Sequence, residues 1–256
     1  KQIVALLFAV FPLISGAQDL TWSPIVEPPI DSYVHSIVGE NEQGSLFLVR
    51  ARVNGDYTPT EYWIERYNTK MEMDFSKPIV LANEEGEVFR FERLLYLKGK
   101  LLLFVSYYDK TAHKNVAYLT EMDQEGEVQS KFKPVDEIAA VKLGNLGKFD
   151  FVVAEDTSKV LIWHNDPYKK YNNGKFYYKL IDHNLNVLWE QEIALPYKNR
   201  DFEIVNYRID RSGNVHLLSK ITNNEEKWVK GKPNFYYTIL TYRWKSRELQ
   251  EYEINL

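Results

Sequence analysis

The chain has 256 residues, 45% hydrophobic and 14% aromatic, with a net charge of −4, which excludes a disordered segment and supplies ample apolar material for a core. Its mild acidity argues against nucleic acid, which demands a basic surface to replace phosphate counterions, and no Lys/Arg run marks an anionic-lipid patch. With no cysteine, disulfides, zinc–thiolate sites and thiol nucleophiles are ruled out.

In chain order, the first segment reads as a processing signal. Lys1 precedes the apolar run IVALLFAVFPLI (3–14), and the small residues Ser15, Gly16 and Ala17 set a cleavage point before Gln18. Residues 1–17 are therefore expected to be a signal peptide. The apolar run is shorter than the roughly 20 residues a spanning helix needs, so no membrane insertion is expected once it is removed. The remainder, 18–256, is expected outside the cytoplasm: secreted, periplasmic or in the cell envelope. Its first stretch, Leu20 to Val26, resembles a later edge strand, with Trp22 matching Trp189.

From residue 31 onward one unit recurs four times, over approximately 31–82, 88–135, 149–195 and 202–256. Each opens on a strand with an aromatic at its start: Tyr33, Phe89, Phe149 and Phe202. A short turn follows, rich in Gly and Asn, which supply the positive φ that hairpins need. The second strand is continuously apolar (Leu46 to Val49, Leu101 to Val105, Val160 to Trp163, Val215 to Leu218), the signature of a strand covered on both faces. A third, aromatic strand contains Tyr62-Trp63-Ile64, Val116 to Leu119, Phe176-Tyr177-Tyr178 and Phe235-Tyr236-Tyr237. After a polar turn comes an alternating strand (71–81, 127–135, 187–195, 248–256), whose Lys, Glu and Pro suit a half-solvated sheet edge.

A meander of four strands at this period resembles the blades of β-propellers, over residues 31–256. The WD40 and sialidase-type marks are absent; the run from Asp182 to Trp189 is similar to a turn of secreted bacterial propellers. The resemblance implies an all-β array of four-stranded antiparallel blades. Four complete units plus an extra N-terminal strand point to an incomplete ring, truncated at its C-terminus; a four-bladed ring and an open curved stack are the alternatives. A transmembrane barrel fits poorly, because its strands must alternate and the second strand of each unit does not.

In such a meander the connections between second and third strands share one face with those between units. They span 50–61, 106–115, 164–175 and 219–234, and long loops on a rigid scaffold are where binding commonly resides. The rings of Tyr57, Tyr107, Tyr108, His113, His164, Tyr168, Tyr171 and Trp228, interleaved with Asp109 and Asp166, suit a sugar, which stacks on rings and hydrogen-bonds to polar forks. The same rings are equally suited to packing the loops onto the blade tops. Asp109, Asp150, Glu155 and Asp166 are the acids available for glycosidase chemistry, but their spacing selects no pair. There is no nucleophile elbow, P-loop or dinucleotide fingerprint. The five histidines are scattered singly, and the turn from Asp210 to Asn214 lacks the downstream Glu of a calcium loop, so neither metal nor cofactor is expected. The expected function is a binding or scaffold module for a protein or glycan, with a polysaccharide hydrolase or lyase as the alternative.

Overall fold

A computed structural model describes residues 27–55, 58–83, 85–129, 131–140, 142–223 and 233–254. The expected signal peptide, the strand around Trp22, and the loop rings Tyr57 and Trp228 lie outside the described residues.

Four antiparallel sheets follow one another along the chain, each a four-stranded meander. The first holds β1 (Ser32–Glu40), β2 (Leu46–Val53), β3 (Pro59–Tyr67) and β4 (Met73–Pro78). The second holds β5 (Arg90–Leu97), β6 (Lys100–Asp109), β7 (Lys114–Met122) and β8 (Lys133–Ala139). The third is β9 (Lys148–Val153), β10 (Lys159–Asn165), β11 (Asn173–Asp182) and β12 (Val187–Lys198); the fourth is β13 (Phe202–Ile209), β14 (Val215–Thr222), β15 (Phe235–Arg243) and β16 (Glu248–Ile254). Among the described residues no helix is long and apolar enough to cross a membrane.

The turns explain themselves from sequence. Asn41, Asn68, Asp123 and Asp182 each open a tight turn in which the side-chain oxygen accepts backbone N–H groups two and four residues on, at 2.8–3.1 Å. Asp210 does the same for Asn214 N at 2.9 Å, so the stretch from Asp210 to Asn214 is a hairpin turn. Gly44, Gly126 and Gly213 take the positive φ at the fourth turn position, where Met71 and Leu185 stand in the other two. Gly126 is doubly constrained: its φ is +83°, and a Cβ there would lie 2.9 Å from Ile64 Cγ2 of the neighbouring sheet. Gly126→Ala is therefore expected to cost about 1–3 kcal/mol in a urea unfolding measurement, and a neutral result would mean that the two sheets part easily there.

The core is built between sheets. Phe47, Val49 and Ile64 of the first sheet meet Phe91, Leu101, Leu103 and Val105 of the second. Leu102, Phe104 and Leu119 of the second meet Phe149, Phe151, Val160 and Ile162 of the third. Leu161, Trp163, Tyr178 and Leu180 of the third meet Val215, Leu217 and Tyr242 of the fourth. Thus Leu101, Leu103 and Val105 of β6 face one neighbour while Leu102 and Phe104 face the other, the physical meaning of the continuous apolar run. Among the described residues no apolar cluster joins the first sheet to the fourth, so the array is open rather than closed.

Two sequence boundaries move. The edge strand placed at 127–135 is β8, Lys133–Ala139. Val128 still bridges to Met122, but Leu119 then faces Lys133, so the edge chain carries extra residues across a short stretch of β7 and bulges outward. The expected loops at 50–61, 106–115 and 164–175 are also shorter. The ladder runs on to Val53 and Pro59, to Asp109 and Lys114, and to Asn165, with β11 beginning at Asn173. Tyr107, Tyr108, Asp109 and His164 accordingly sit on strands, because cross-strand pairing continues beyond the apolar run.

Candidate functional site

The innermost strands β1, β5, β9 and β13 carry a polar cluster. Three of them bulge at one equivalent place. His35 is left unpaired opposite Val49 and Arg50, Glu92 opposite Phe104 and Val105, and Val205 opposite Leu218 and Ser219. The fourth, β9, runs regularly and sets Asp150 against Trp163. A bulge twists the strand and re-aims a side chain, and repeated bulges at one level of a scaffold mark a shaped surface.

Glu92, with its side chain 12% exposed, accepts from Ser106 Oγ at 2.6 Å and from Arg90 Nε at 2.9 Å and Nη2 at 2.6 Å. Asp150 lies 3.8 Å from Lys148 Nζ. Burial pushes the Tyr207 phenol upward, and its hydrogen bond to the Asp150 carboxylate adds to the rise. Burial, and after it the charge of Arg93, lowers the His35 imidazole; the same Arg93 charge offsets a small part of the rise at Tyr207. His35 packs edge-on against Tyr62 (5.4 Å) and Phe91 (5.5 Å), which stack on each other at 4.2 Å. Exposed Tyr33 flanks them, 6.1 Å from His35. The inner strands therefore bring carboxylates, guanidinia, a phenol and rings from all four sheets near one another.

The residues singled out from sequence are dispersed. Tyr107 hydrogen-bonds to Glu87 and sits edge-on to Phe89 at 6.1 Å. Tyr108 donates to the Ala140 carbonyl at 3.2 Å. Asp109 accepts from Thr111 N and Ala112 N, which shapes the turn, and exposed His113 takes φ 55° in that turn. The Tyr168 backbone is clasped by the Asn145 side chain at 3.1 and 3.3 Å, leaving its ring exposed. The Tyr171 ring lies under Lys170 and Arg200, 5.4 and 5.5 Å from its centre. Among the described residues, His164 and Asp166 share a recess of about 530 Å³ between the second and third sheets. There His164 Nδ1 meets Asp136 Oδ2 at 2.7 Å, and its ring stacks on Tyr177 at 4.5 Å.

From sequence, Asp150 is one acid among several and His35 a strand residue that packs, as it does against Tyr62 and Phe91; Glu92, Arg93 and Tyr207 carry no mark there. The available signal was position: a charged or imidazole side chain within two residues after an aromatic near the start of an inner strand, as in Tyr33-Val34-His35, Phe91-Glu92-Arg93 and Phe149-Asp150. Among the described residues, no three His, Asp or Glu side chains gather as metal ligands.

No protein-family model matches this chain, and no curated protein does. Solved structures do. An α-L-arabinofuranosidase from Fusarium graminearum, in complex with an iminosugar inhibitor, matches with a TM-score of 0.52 at 12% identity, over 91% of this chain and 70% of that one. An α-L-arabinanase from Penicillium chrysogenum, complexed with arabinobiose, matches with a TM-score of 0.50 at 14% identity, over 93% and 72%. At these identities the likeness is one of fold. With the meander sheets and the inter-sheet cores, it makes this a propeller-fold protein: an open array of four four-stranded blades.

Proposed function

We propose that this protein binds a glycan at the mouth where the four inner strands converge. The observation that carries the reading is the grouping of Glu92, Arg90, Arg93, Asp150 and Tyr207 beside the rings of Tyr33 and His35. Sugar hydroxyls are met by carboxylate acceptors and guanidinium donors placed side by side, and the apolar face of a sugar ring by an exposed aromatic. The two structural neighbours, one an arabinofuranosidase with an iminosugar inhibitor and the other an arabinanase holding arabinobiose, support this ligand class. The expected signal peptide places the binding outside the cytoplasm.

The test is calorimetric titration against a panel of soluble polysaccharides that includes arabinan. Arg93→Ala changes an exposed side chain and is expected to leave thermal unfolding in place while weakening binding at least about tenfold, which is ~1.4 kcal/mol. Unchanged affinity in Arg93→Ala would overturn the assignment of the mouth.

A hydrolase is the second reading, favoured by one observation: Glu92 and Asp150 are partly buried carboxylates on successive inner strands, and a pair of carboxyl groups is what glycoside hydrolysis uses. Under it, Glu92→Gln or Asp150→Asn abolishes release of reducing ends while the glycan is still bound.

A further inference from the structure

We infer that the recess between the β4–β5 connection and the edge of the second sheet is a second saccharide-binding site, separate from the inner-strand mouth. It has a volume of about 460 Å³, within the ~300–1,000 Å³ of small-ligand pockets. The inference takes its ligand class from the glycan reading and its location from a different set of residues.

Two structural irregularities make this recess. The connection from β4 to β5 folds into a small hairpin, with Ala82 bridged to Val88 and Phe89 N bonded to the Leu81 carbonyl at 2.8 Å. Its turn is closed by the Asn83 side chain, which accepts from Glu87 N at 2.8 Å and donates to the Glu87 carboxylate at 2.8 Å. Opposite it, the edge of the second sheet bulges between Val128 and Lys133, and the bulge carries Phe132. An edge bulge redirects side chains, here toward the hairpin.

The floor is aromatic. Phe89, buried at 4% exposure, lies 4.7 Å from Phe132 and 5.2 Å from Tyr118, each at an open tilt of about 45°. The rim is polar: Asn83, Glu85, Glu87, Gln129 and Lys131 surround it. The Gln129 amide nitrogen is held by Asp123 at 2.8 Å, which fixes the side chain. Rings below and carboxylate and amide oxygens above match a ligand with one apolar face and several hydroxyl donors at its edge, which describes a sugar ring. The His164 recess offers no such match. There Asp136 is met by His164 and Lys179, Glu190 by Lys179, Glu192 by Lys175 and Glu137 by Lys114, so these four carboxylates are matched within the protein. That recess is a clamp between sheets.

The experiment is saturation-transfer NMR on the full chain with arabinobiose, cellobiose, galactobiose and mannobiose, and with tetramethylammonium as a cationic control. With the inner mouth disabled by Arg93→Ala, transfer to at least one disaccharide is expected to persist. Phe132→Ala, which removes a ring of the floor, is expected to weaken that binding at least tenfold, and Glu87→Gln, which preserves shape, severalfold. A melting curve checks that each variant is folded, and Glu87→Gln decides if Phe132→Ala is not. Disaccharide transfer that vanishes with Arg93→Ala, or that ignores both recess variants, overturns the second site. Transfer to tetramethylammonium alone, lost in Glu87→Gln, overturns it in favour of a cation box. Polysaccharide affinity unchanged by Arg93→Ala, with the recess signal intact, would overturn the first reading and leave this one standing.

Discussion

Replacing Glu65 by alanine is expected to destabilise the protein by about 3–5 kcal/mol, because it strands a buried guanidinium. Arg50 and Glu65 are 8% and 1% exposed and joined by two bonds, Nε to Oε1 at 2.5 Å and Nη2 to Oε2 at 3.2 Å. The Tyr67 hydroxyl donates to the second carboxylate oxygen at 3.0 Å. The hydrogen bond to Glu65 is the main cause that holds the Arg50 guanidinium above its already high pKa. Arginine cannot shed its proton to escape a dry site, so removing the carboxylate leaves a full charge with its desolvation uncompensated. The double variant Arg50→Met with Glu65→Leu removes both charges and is expected to lie within about 1–2 kcal/mol of the wild type or above it. Urea unfolding of the two single variants and the double variant measures the coupling. A Glu65→Ala cost below about 1 kcal/mol would show that water reaches the pair, since exposed pairs are worth no more than that.

This pair also marks how far sequence reading reaches. The run from Leu101 to Val105 was legible as a doubly covered strand because β6 has a sheet on each side, and the residues alternate between the two cores. β2 was read the same way, yet only its Phe47 and Val49 enter an inter-sheet core, and Arg50 follows directly. A terminal sheet has one neighbour, which hydrophobicity alone does not reveal. The Asn- and Asp-led turns were legible because their hydrogen bonds are local, within four residues. The inner-strand cluster was not, because a bulge is a property of pairing: Glu92 is displaced only relative to Phe104 and Val105. The contact of His164 with Asp136 was equally hidden, since the two stand on different sheets and meet only when those sheets pack. The loop bounds were hidden for a related reason: Tyr107 and Tyr108 follow an apolar run, but their backbone stays in register with Val116 and Asn115.

Phe104→Ala is expected to cost about 3–5 kcal/mol, the range for emptying a buried phenylalanine site. The ring is fully buried and stacks on Phe151 of the third sheet at 4.2 Å, with Leu102, Leu119 and Ile162 in the same core. These neighbours stand on strands hydrogen-bonded within two separate sheets, so neither sheet can collapse into the void without breaking its own register. The position therefore belongs at the upper end of the range, where relaxation is poor. The architecture adds a second consequence. In a linear array each unit touches only its neighbours, so stability is a sum of unit and interface contributions rather than a property of one core. Weakening the central of three interfaces in an open array leaves nothing on the far side to hold the halves together. Wild-type unfolding is expected as one transition, and Phe104→Ala as two, with amide protection lost at the β6–β10 boundary before it is lost within either outer pair of sheets. Phe104→Leu, which refills most of the volume, is expected to recover more than half of the loss. A single unshifted transition for Phe104→Ala would mean that the second and third sheets are held mainly by the polar clamp of Asp136, His164 and Lys179, and Asp136→Ala would then carry the larger cost.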